Sequence, residues 1–234
     1  KSIIQLLDLK ETQICVSFFL NTIMMRKYNS KPCYWHEAKK FLISSDPLLK
    51  KIIQTTDNKQ YLTINSTPFQ TLANAIIGQQ ISVAAASSIL RKLKLQIKVF
   101  NPSRIKEASE KQLKSSGLSR QKIEYLKLLA DFFIRNPRYF TNLKNLDDQL
   151  VIDELVKLKG IGEWTAQMYL IFQLNRPNVI PMADIGFINS AKKLYKIKEP
   201  INKNLLTISE RWGEYKTVAV WYIWRIIDPD VVQY

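Results

Sequence analysis

The sequence predicts an all-α fold from residue 35 onward, and two observations carry that prediction. Apolar residues recur three and four positions apart in one segment after another, which is the spacing of a single buried helical face. Residues beyond 35 show no convincing series of strands and no repeat of fixed period. With 234 residues, of which 46% are hydrophobic, the chain can build one large core or two closely packed ones.

Residues 1–35 differ from the rest, and we treat them as an N-terminal extension whose structure the sequence leaves open. The apolar run at residues 14–20 fits a buried strand or the hydrophobic core of a targeting peptide. We favour a structured segment because Asp8 and Glu11 precede the run and no small-residue cleavage pattern follows it. The longest apolar run, residues 14–25, is shorter than the ~20 residues of a membrane span, so we expect no integral membrane protein.

Capping residues mark the helices that follow. Thr67 supplies an N-cap and Pro68 a proline at the first position of a helix that Gly78 is expected to interrupt. In the next helix, small residues on one face would let another helix or a ligand approach closely. That face comprises Ile81, Ala84, Ala85, Ser88 and Ile89. Gly117 then ends a helix and Ser119 caps the one after it. Helical periodicity returns at residues 150–158, 165–174, 184–195 and 215–227.

The charge of the chain calls for an anionic partner. It carries 35 Lys and Arg against 20 Asp and Glu, a net charge of +15, which fits a protein that neutralises phosphates. Between Arg91 and Lys127 the basic residues are spread among apolar ones, as on a folded basic face. Two cysteines cannot form a disulfide framework, and with one histidine they cannot complete a zinc site without carboxylates, so metal catalysis is disfavoured.

The most informative segment is residues 155–166, which reads as a helix, a tight turn and another helix. Gly160 and Gly162 lie one residue apart in the turn, which lets the backbone adopt a positive φ and leaves its N–H groups uncovered. Those N–H groups stand at the positive end of the following helix, so the turn can hold a phosphate. A turn of this kind can also serve only to connect two helices, so the neighbouring motifs decide whether it binds a phosphate.

That context resembles the helix-hairpin-helix (HhH-GPD) DNA glycosylase superfamily in three ordered motifs. Residues 158–162 match its Leu-x-Gly-Ile-Gly hairpin, and Pro181 and Asp184 match its Pro-x-x-Asp. Residues 75–82, with Gln79 and Gln80, resemble its Gln-Gln helix junction. The resemblance spans about residues 36–227. It implies two packed helical subdomains within residues 36–234, an inner one at 67–175 and an outer one at 36–66 plus 176–234, with the active-site cleft between them.

The resemblance implies that Asp184 is the catalytic carboxylate. Cleavage of an N-glycosidic bond develops positive charge on the deoxyribose, which an ionised carboxylate stabilises while it orients a water. From the sequence alone, the simpler role for Asp184 is to cap the helix that begins near Ile185. The two roles are compatible, because a helix N-terminus favours an ionised aspartate.

The residue at position 164 separates branches of the superfamily. Members that also cut the DNA strand have a nucleophilic lysine there, whereas this chain has Trp164 and is similar to the monofunctional 3-methyladenine DNA glycosylase II branch. Lys157 and Lys159 lie on the other side of the turn and are not favoured as nucleophiles. The branch with an iron-sulfur cluster is excluded because its four C-terminal cysteines are absent from this sequence.

The same resemblance implies a set of base-binding residues. A cationic alkylated purine is bound by aromatic stacking and cation-π attraction, for which Trp164 and Trp212 are the candidates, although Trp212 fits a core position almost equally well. Gln79 and Gln80 would lie near the flipped nucleotide, and Met168 stands where bacterial relatives have a pocket tyrosine. Two further tryptophans in an apolar run, Trp221 and Trp224, are assigned to the core.

Contacts to the DNA backbone are expected around the two turns. By resemblance, the turn Leu118, Ser119, Arg120 would supply the wedge that fills the place of the flipped base, with either Leu118 or Arg120 inserted. Phosphates are expected to meet the hairpin of Lys159, Gly160, Ile161 and Gly162, together with Thr165, Arg120 and Lys122. By resemblance, the carbonyls of Val156, Leu158 and Ile161 would hold a structural Na⁺ or K⁺.

Together these features predict a monofunctional DNA glycosylase of base excision repair. It would hydrolyse the bond to 3-methyladenine or 7-methylguanine in double-stranded DNA, leave an abasic site, require no cofactor, and act as a monomer inside the cell with the genome. One alternative is a non-catalytic helix-hairpin-helix module that binds DNA. Another is a glycosylase for uracil or oxidised guanine. Binding to a membrane surface through the basic face ranks last.

Overall fold

The computed structural model describes residues 31–227, and every regular element among them is helical, as the sequence predicts. In chain order the α-helices are α1 (Trp35–Ser45), α2 (Pro47–Thr55), α3 (Pro68–Gly78), α4 (Val83–Ile97), α5 (Pro102–Glu107), α6 (Glu110–Ser115), α7 (Arg120–Arg135), α8 (Tyr139–Leu143), α9 (Asp148–Leu155), α10 (Glu163–Phe172), α11 (Ile185–Tyr195), α12 (Ile201–Ser209) and α13 (Lys216–Trp224). A 3₁₀ turn, Glu210–Trp212, follows α12. None of the helices in residues 31–227 combines the length and apolar character of a membrane span.

The helices pack in two groups. In the inner group, α3 lies against α4, α7 and α10, while α9 packs on α10 and α5 on α7. In the outer group, α13 lies against α1, α2 and α11. All residues of α13 from Thr217 to Trp224 are buried, so this helix forms the centre of the outer group. The stacked rings of Phe172 in α10 and Trp224 in α13 join the two groups, with ring centroids 5.8 Å apart.

The outer group begins at residues that the sequence analysis placed in the N-terminal extension. Trp35 is the first residue of α1, is 2% exposed, and packs edge-on against Trp221 with centroids 5.1 Å apart. Tyr34 donates a hydrogen bond to the carbonyl of Asn175 at 2.7 Å. These two residues therefore belong to the helical fold. The structured segment predicted at residues 14–20 lies outside the described residues.

Several predicted helix ends coincide with real ones. Thr67 forms a capping box with Gln70 at the start of α3, and Gly78 is the last residue of that helix. Gly117 adopts a φ of 96° just before α7, and the Ser119 hydroxyl accepts a hydrogen bond from the Lys122 backbone N–H. These positions were predictable because each depends on short-range hydrogen bonding and backbone conformation.

The packing face predicted for α4 is confirmed only in part, because Ser88 and Ile89 are half-buried whereas its other three residues are exposed. Ala84 and Ala85 are exposed, and Ile81 precedes the helix and is 38% exposed. The buried residues of this helix are Leu93 and Ile97, near its C-terminal end. Ala84 and Ala85, in the first turn of α4, lie at the surface, so for them a close approach by a ligand stays a prediction.

Candidate functional site

The hairpin between α9 and α10 uses its two glycines differently. Gly160 has a φ of 91°, and a Cβ atom built on it would lie 2.3 Å from Cγ of Tyr125. Only glycine fits there without displacing the Tyr125 ring. A Cβ atom built on Gly162 would meet nothing within 4 Å, and this residue is exposed. The backbone at Gly162 is therefore open to a ligand.

Gln79 braces this hairpin from the end of α3. Its Nε2 atom donates to the carbonyl oxygen of Gly160 at 2.9 Å and to Oγ1 of Thr165 at 3.0 Å. Thr165 is 1% exposed, so its hydroxyl cannot make the predicted phosphate contact, for which only its backbone N–H in the first turn of α10 is left. The hydroxyl instead accepts a hydrogen bond from Gln79 and helps to hold the α3–α4 junction against the hairpin.

An open groove of about 350 Å³ lies beside the hairpin. Its lining residues are Gln79, Gln80, Gln121, Lys122, Tyr125, Gly160, Ile161 and Gly162. Gln80 is exposed and has a φ of 58°, a left-handed conformation that non-glycine residues adopt mainly in turns and functional sites. Gln121 donates a hydrogen bond to the Tyr125 hydroxyl at 2.6 Å. The sequence did not predict Gln121 or Tyr125 as site residues, because their positions in α7 are typical of an ordinary helix surface.

Lys122 caps a helix and also places a positive charge in the groove. Its Nζ atom donates to the carbonyl oxygens of Ile77 at 2.7 Å and Gln79 at 2.8 Å, and so caps the C-terminal end of α3. Burial lowers the pKa of this ammonium from its ordinary value. The positive charge therefore stands in the groove at a position fixed by two backbone carbonyls.

The remaining residues predicted to contact DNA divide into exposed and buried ones. Arg120 is exposed at the first position of α7. Lys159 pairs with Glu124 at 2.5 Å and Lys157 with Glu154 at 2.6 Å, each at the surface. Leu118 is 3% exposed and packs in the core, so the prediction that it could insert into DNA is wrong.

Asp184 lies where the two groups of helices meet. As the N-cap of α11, its Oδ1 atom accepts the backbone N–H of Phe187 at 2.6 Å. Its Oδ2 atom accepts the indole N–H of Trp164, in α10 of the inner group, at 2.8 Å. The indole N–H of Trp224, in α13 of the outer group, donates to Oδ1 at 3.2 Å. Asp184 is half-buried as a residue, and the next residue, Ile185, is 74% exposed.

Of the two tryptophans predicted to bind the base, only Trp164 lies beside Asp184 in the structure. Trp164 is half-buried and contacts Asp184, but Trp212 is fully buried and its indole N–H donates to Asp46 at 3.1 Å. Met168 is also fully buried. The predictions that Trp212 and Met168 contact the base are therefore wrong, because neither side chain presents a face to solvent. Trp224, assigned to the core, is 7% exposed and is the aromatic residue near Asp184 that sequence reasoning missed.

Metal-binding side chains do not cluster in this structure. Residues 31–227 contain no group of three or more His, Cys, Asp or Glu side chains that could hold a metal ion. At the hairpin the available donors are backbone carbonyls. The carbonyl of Leu158 accepts the N–H of Ile161 at 3.0 Å and keeps a second lone pair, and Val156 follows the C-terminal end of α9, where the helix dipole is negative.

Comparison with known proteins gives a consistent family. Residues 73–214 match the HhH-GPD superfamily of base excision DNA repair proteins. DNA-3-methyladenine glycosylase 1 of Schizosaccharomyces pombe is 31% identical over 167 residues, which are 68% of this chain and 72% of that protein. DNA-3-methyladenine glycosylase of Saccharomyces cerevisiae is 29% identical over 219 residues, covering 85% of this chain and 74% of that protein.

The fold agrees with these sequence matches. The solved structure of a Schizosaccharomyces pombe 3-methyladenine DNA glycosylase in complex with abasic DNA superposes with a TM-score of 0.72 at 27% identity. The superposition covers 81% of this chain and 95% of that one.

Proposed function

This chain belongs to the HhH-GPD superfamily of base excision DNA repair proteins, and we propose that Asp184 is the carboxylate with which it removes alkylated bases from DNA. The chain is a monofunctional DNA glycosylase that hydrolyses the N-glycosidic bond of an alkylated base and leaves an abasic site. One observation carries the assignment of Asp184. Its carboxylate is held by indole N–H groups from both helix groups, at a half-buried position where these groups meet.

The chemistry follows from the charge that develops during bond cleavage. A base inside the duplex is first turned out of the stack. As the C1′–N bond breaks, its electron pair leaves with the base, and positive charge develops on the deoxyribose. The ionised carboxylate of Asp184 stabilises that charge and orients a water, whose oxygen bonds to C1′ as one of its protons passes to the carboxylate. Alkylated purines such as 3-methyladenine and 7-methylguanine carry positive charge and leave as neutral molecules, so one carboxylate suffices.

Hydrolysis rather than strand cleavage follows from the residue at position 164. Trp164 cannot form an imine with the sugar. Its indole instead donates to Asp184. Lys157 and Lys159, the lysines closest in sequence to the hairpin, pair with Glu154 and Glu124 at the surface.

The groove beside the hairpin is the proposed binding surface for the phosphates of the damaged strand. The open backbone at Gly162 and the ammonium of Lys122 both line it, and Arg120 at the start of α7 directly precedes the lining residue Gln121. Gln80, exposed in a left-handed conformation, is the proposed neighbour of the flipped nucleotide. We assign the wedge to Arg120, since Leu118 is buried. The protein would act as a monomer on double-stranded DNA inside the cell.

The hairpin carbonyls are also the proposed site of a structural monovalent cation. The carbonyls of Val156, Leu158 and Ile161 suit Na⁺ or K⁺ because they are uncharged oxygen donors, and Val156 lies at the negative end of α9. The cation would add positive charge to the phosphate-binding turn and take no part in bond cleavage. We expect no other cofactor.

Product analysis tests the proposed function. The protein should release 3-methyladenine and 7-methylguanine from methylated duplex DNA, detected by mass spectrometry, and leave the strand intact until heat or alkali cleaves it. Release of uracil or 8-oxoguanine alone from a panel of single-lesion duplexes would contradict the proposed substrate. A protein–DNA adduct trapped by borohydride would contradict the hydrolytic mechanism.

A further inference from the structure

We propose that Trp224 is a positioning residue for Asp184, and that its indole N–H holds one carboxylate oxygen in the orientation that base removal requires. The inference rests on the proposed function of Asp184. The carboxylate accepts three N–H donors from three elements: the indole of Trp164 in α10, the indole of Trp224 in α13, and the backbone of Phe187 in α11.

The three donors do not all contact the same oxygen of the Asp184 carboxylate. The cap from Phe187 fixes Oδ1 relative to α11 but leaves the carboxylate plane to be set by its other contacts. Trp164 holds Oδ2 from the inner group, and Trp224 holds Oδ1 from the outer group. The plane is thus clamped between two helices that belong to different groups, and the carboxylate need not reorganise as charge develops on the sugar.

The Trp224 ring is itself firmly placed. It is 7% exposed and stacks on Phe172 with an interplanar angle of 18°. A hydrogen bond to an ionised group is stronger when water is excluded from it, so the buried indole is a more effective donor than an exposed one. The direction of the Trp224 N–H is therefore set by packing before any DNA binds.

The same helix provides a matched control. Trp221 lies three residues earlier in α13 and is fully buried against Trp35. Among residues 31–227, nothing accepts a hydrogen bond from the Nε1 atom of Trp221. Trp224→Phe thus removes an N–H that donates a hydrogen bond, whereas Trp221→Phe removes one that does not. Both changes lose a similar volume of buried ring.

The first experiment compares Trp224→Phe with Trp221→Phe in single-turnover excision of a methylated base. Binding to a duplex with an abasic-site analogue is measured alongside. We expect Trp224→Phe to slow excision by roughly tenfold to a hundredfold, the range for losing a hydrogen bond to a charged group, with binding unchanged. Trp221→Phe should excise at nearly the wild-type rate. Equal rates for the two variants, or a loss confined to binding, would overturn the inference.

The second experiment detects the hydrogen bond without relying on activity. The chain has five tryptophans, so protein labelled with ¹⁵N-tryptophan gives five indole N–H resonances, assigned by single Trp→Phe variants. Asp184→Asn should shift the resonances of Trp164 and Trp224 and leave that of Trp221 in place. If the Trp224 resonance does not move, the inference fails. Failure of wild-type protein to release any methylated base would instead reject the proposed function and leave the NMR result valid.

Discussion

Gln79 and Gly160, which lie 81 positions apart in the chain, are joined by a hydrogen bond of 2.9 Å from the side-chain amide to the backbone carbonyl. The same Nε2 atom donates to Thr165 at 3.0 Å. Two motifs that are separate in the sequence, the Gln-Gln junction and the hairpin, therefore form one braced surface. The brace brings the exposed Gln80 and the open backbone of Gly162 to the same groove.

Removing this brace should destabilise the fold in graded steps. Gln79→Leu eliminates both hydrogen bonds and leaves the Thr165 hydroxyl without its donor, so we expect a loss of about 2 kcal/mol in the free energy of unfolding. Thr165→Val keeps the side-chain shape and removes one acceptor, which should cost about 1 kcal/mol. Urea denaturation measures both values. Wild-type stability of Gln79→Leu would show that the brace contributes nothing.

The two hairpin glycines should differ in how much stability the protein loses when each is replaced by alanine. Gly160→Ala combines a positive φ with a Cβ atom 2.3 Å from the Tyr125 ring, and should lower the free energy of unfolding by about 2 kcal/mol or more. Gly162→Ala has open space and an ordinary φ of −98°, so its stability should stay within about 0.5 kcal/mol of wild type.

DNA binding separates the two variants further. The added methyl group of Gly162→Ala stands where we propose that a phosphate meets the backbone, so this variant should bind DNA more weakly although it folds normally. Fluorescence anisotropy with a duplex that carries an abasic-site analogue measures the affinity. Unchanged affinity of Gly162→Ala would contradict the proposed phosphate contact.

Features set by short-range interactions were predictable from the sequence, whereas features set by distant parts of the chain were not. The cap of α3 by Thr67 and the cap of α11 by Asp184 involve donors within three residues, and both were predicted. Trp224 is a core residue as predicted, and Trp212 takes the core alternative rather than a place beside the base. Trp212 donates to Asp46, 166 positions away, and no local pattern reveals that partner.

Burial explains the other misses. Thr165 and Leu118 have the residue types and positions of DNA contacts, but both side chains are buried in the folded protein. Trp224 stands in a continuous apolar helix, where its hydrophobic surroundings conceal the single polar atom that reaches Asp184. Periodicity reports which helical face is buried, but not which polar atom on that face finds a partner.

Trp212 should be important for stability and unimportant for base recognition. Its indole N–H and the Tyr195 hydroxyl, at 2.7 Å, both donate to Oδ2 of the buried Asp46. Trp212→Phe loses that hydrogen bond and leaves a cavity, so the free energy of unfolding should fall by about 2 kcal/mol or more. Below its melting temperature, the variant should excise methylated bases at the wild-type rate. A selective loss of excision in well-folded Trp212→Phe would restore Trp212 to the base-binding site.

The salt dependence of binding should identify the end of α7 that contacts DNA. Arg120 and Arg135 are the first and last residues of this helix, about 22 Å apart. Each phosphate contact releases counterions, so Arg120→Gln should reduce the slope of log K against log salt by about 1, whereas Arg135→Gln should leave it unchanged. Arg135 is a suitable control because it is exposed and pairs with Asp131. Equal slopes for the two variants would remove Arg120 from the proposed interface.

The rate of base release by Asp184→Asn tests directly whether this carboxylate drives base removal. Asparagine is as good an N-cap as aspartate, so α11 should remain intact while the negative charge beside Trp164 and Trp224 is lost. With duplex DNA that carries one methylated base, single-turnover release should fall at least about a hundredfold. Affinity for a duplex with an abasic-site analogue should stay at the wild-type level. Release at the wild-type rate by Asp184→Asn would show that the carboxylate of Asp184 is not needed for base removal.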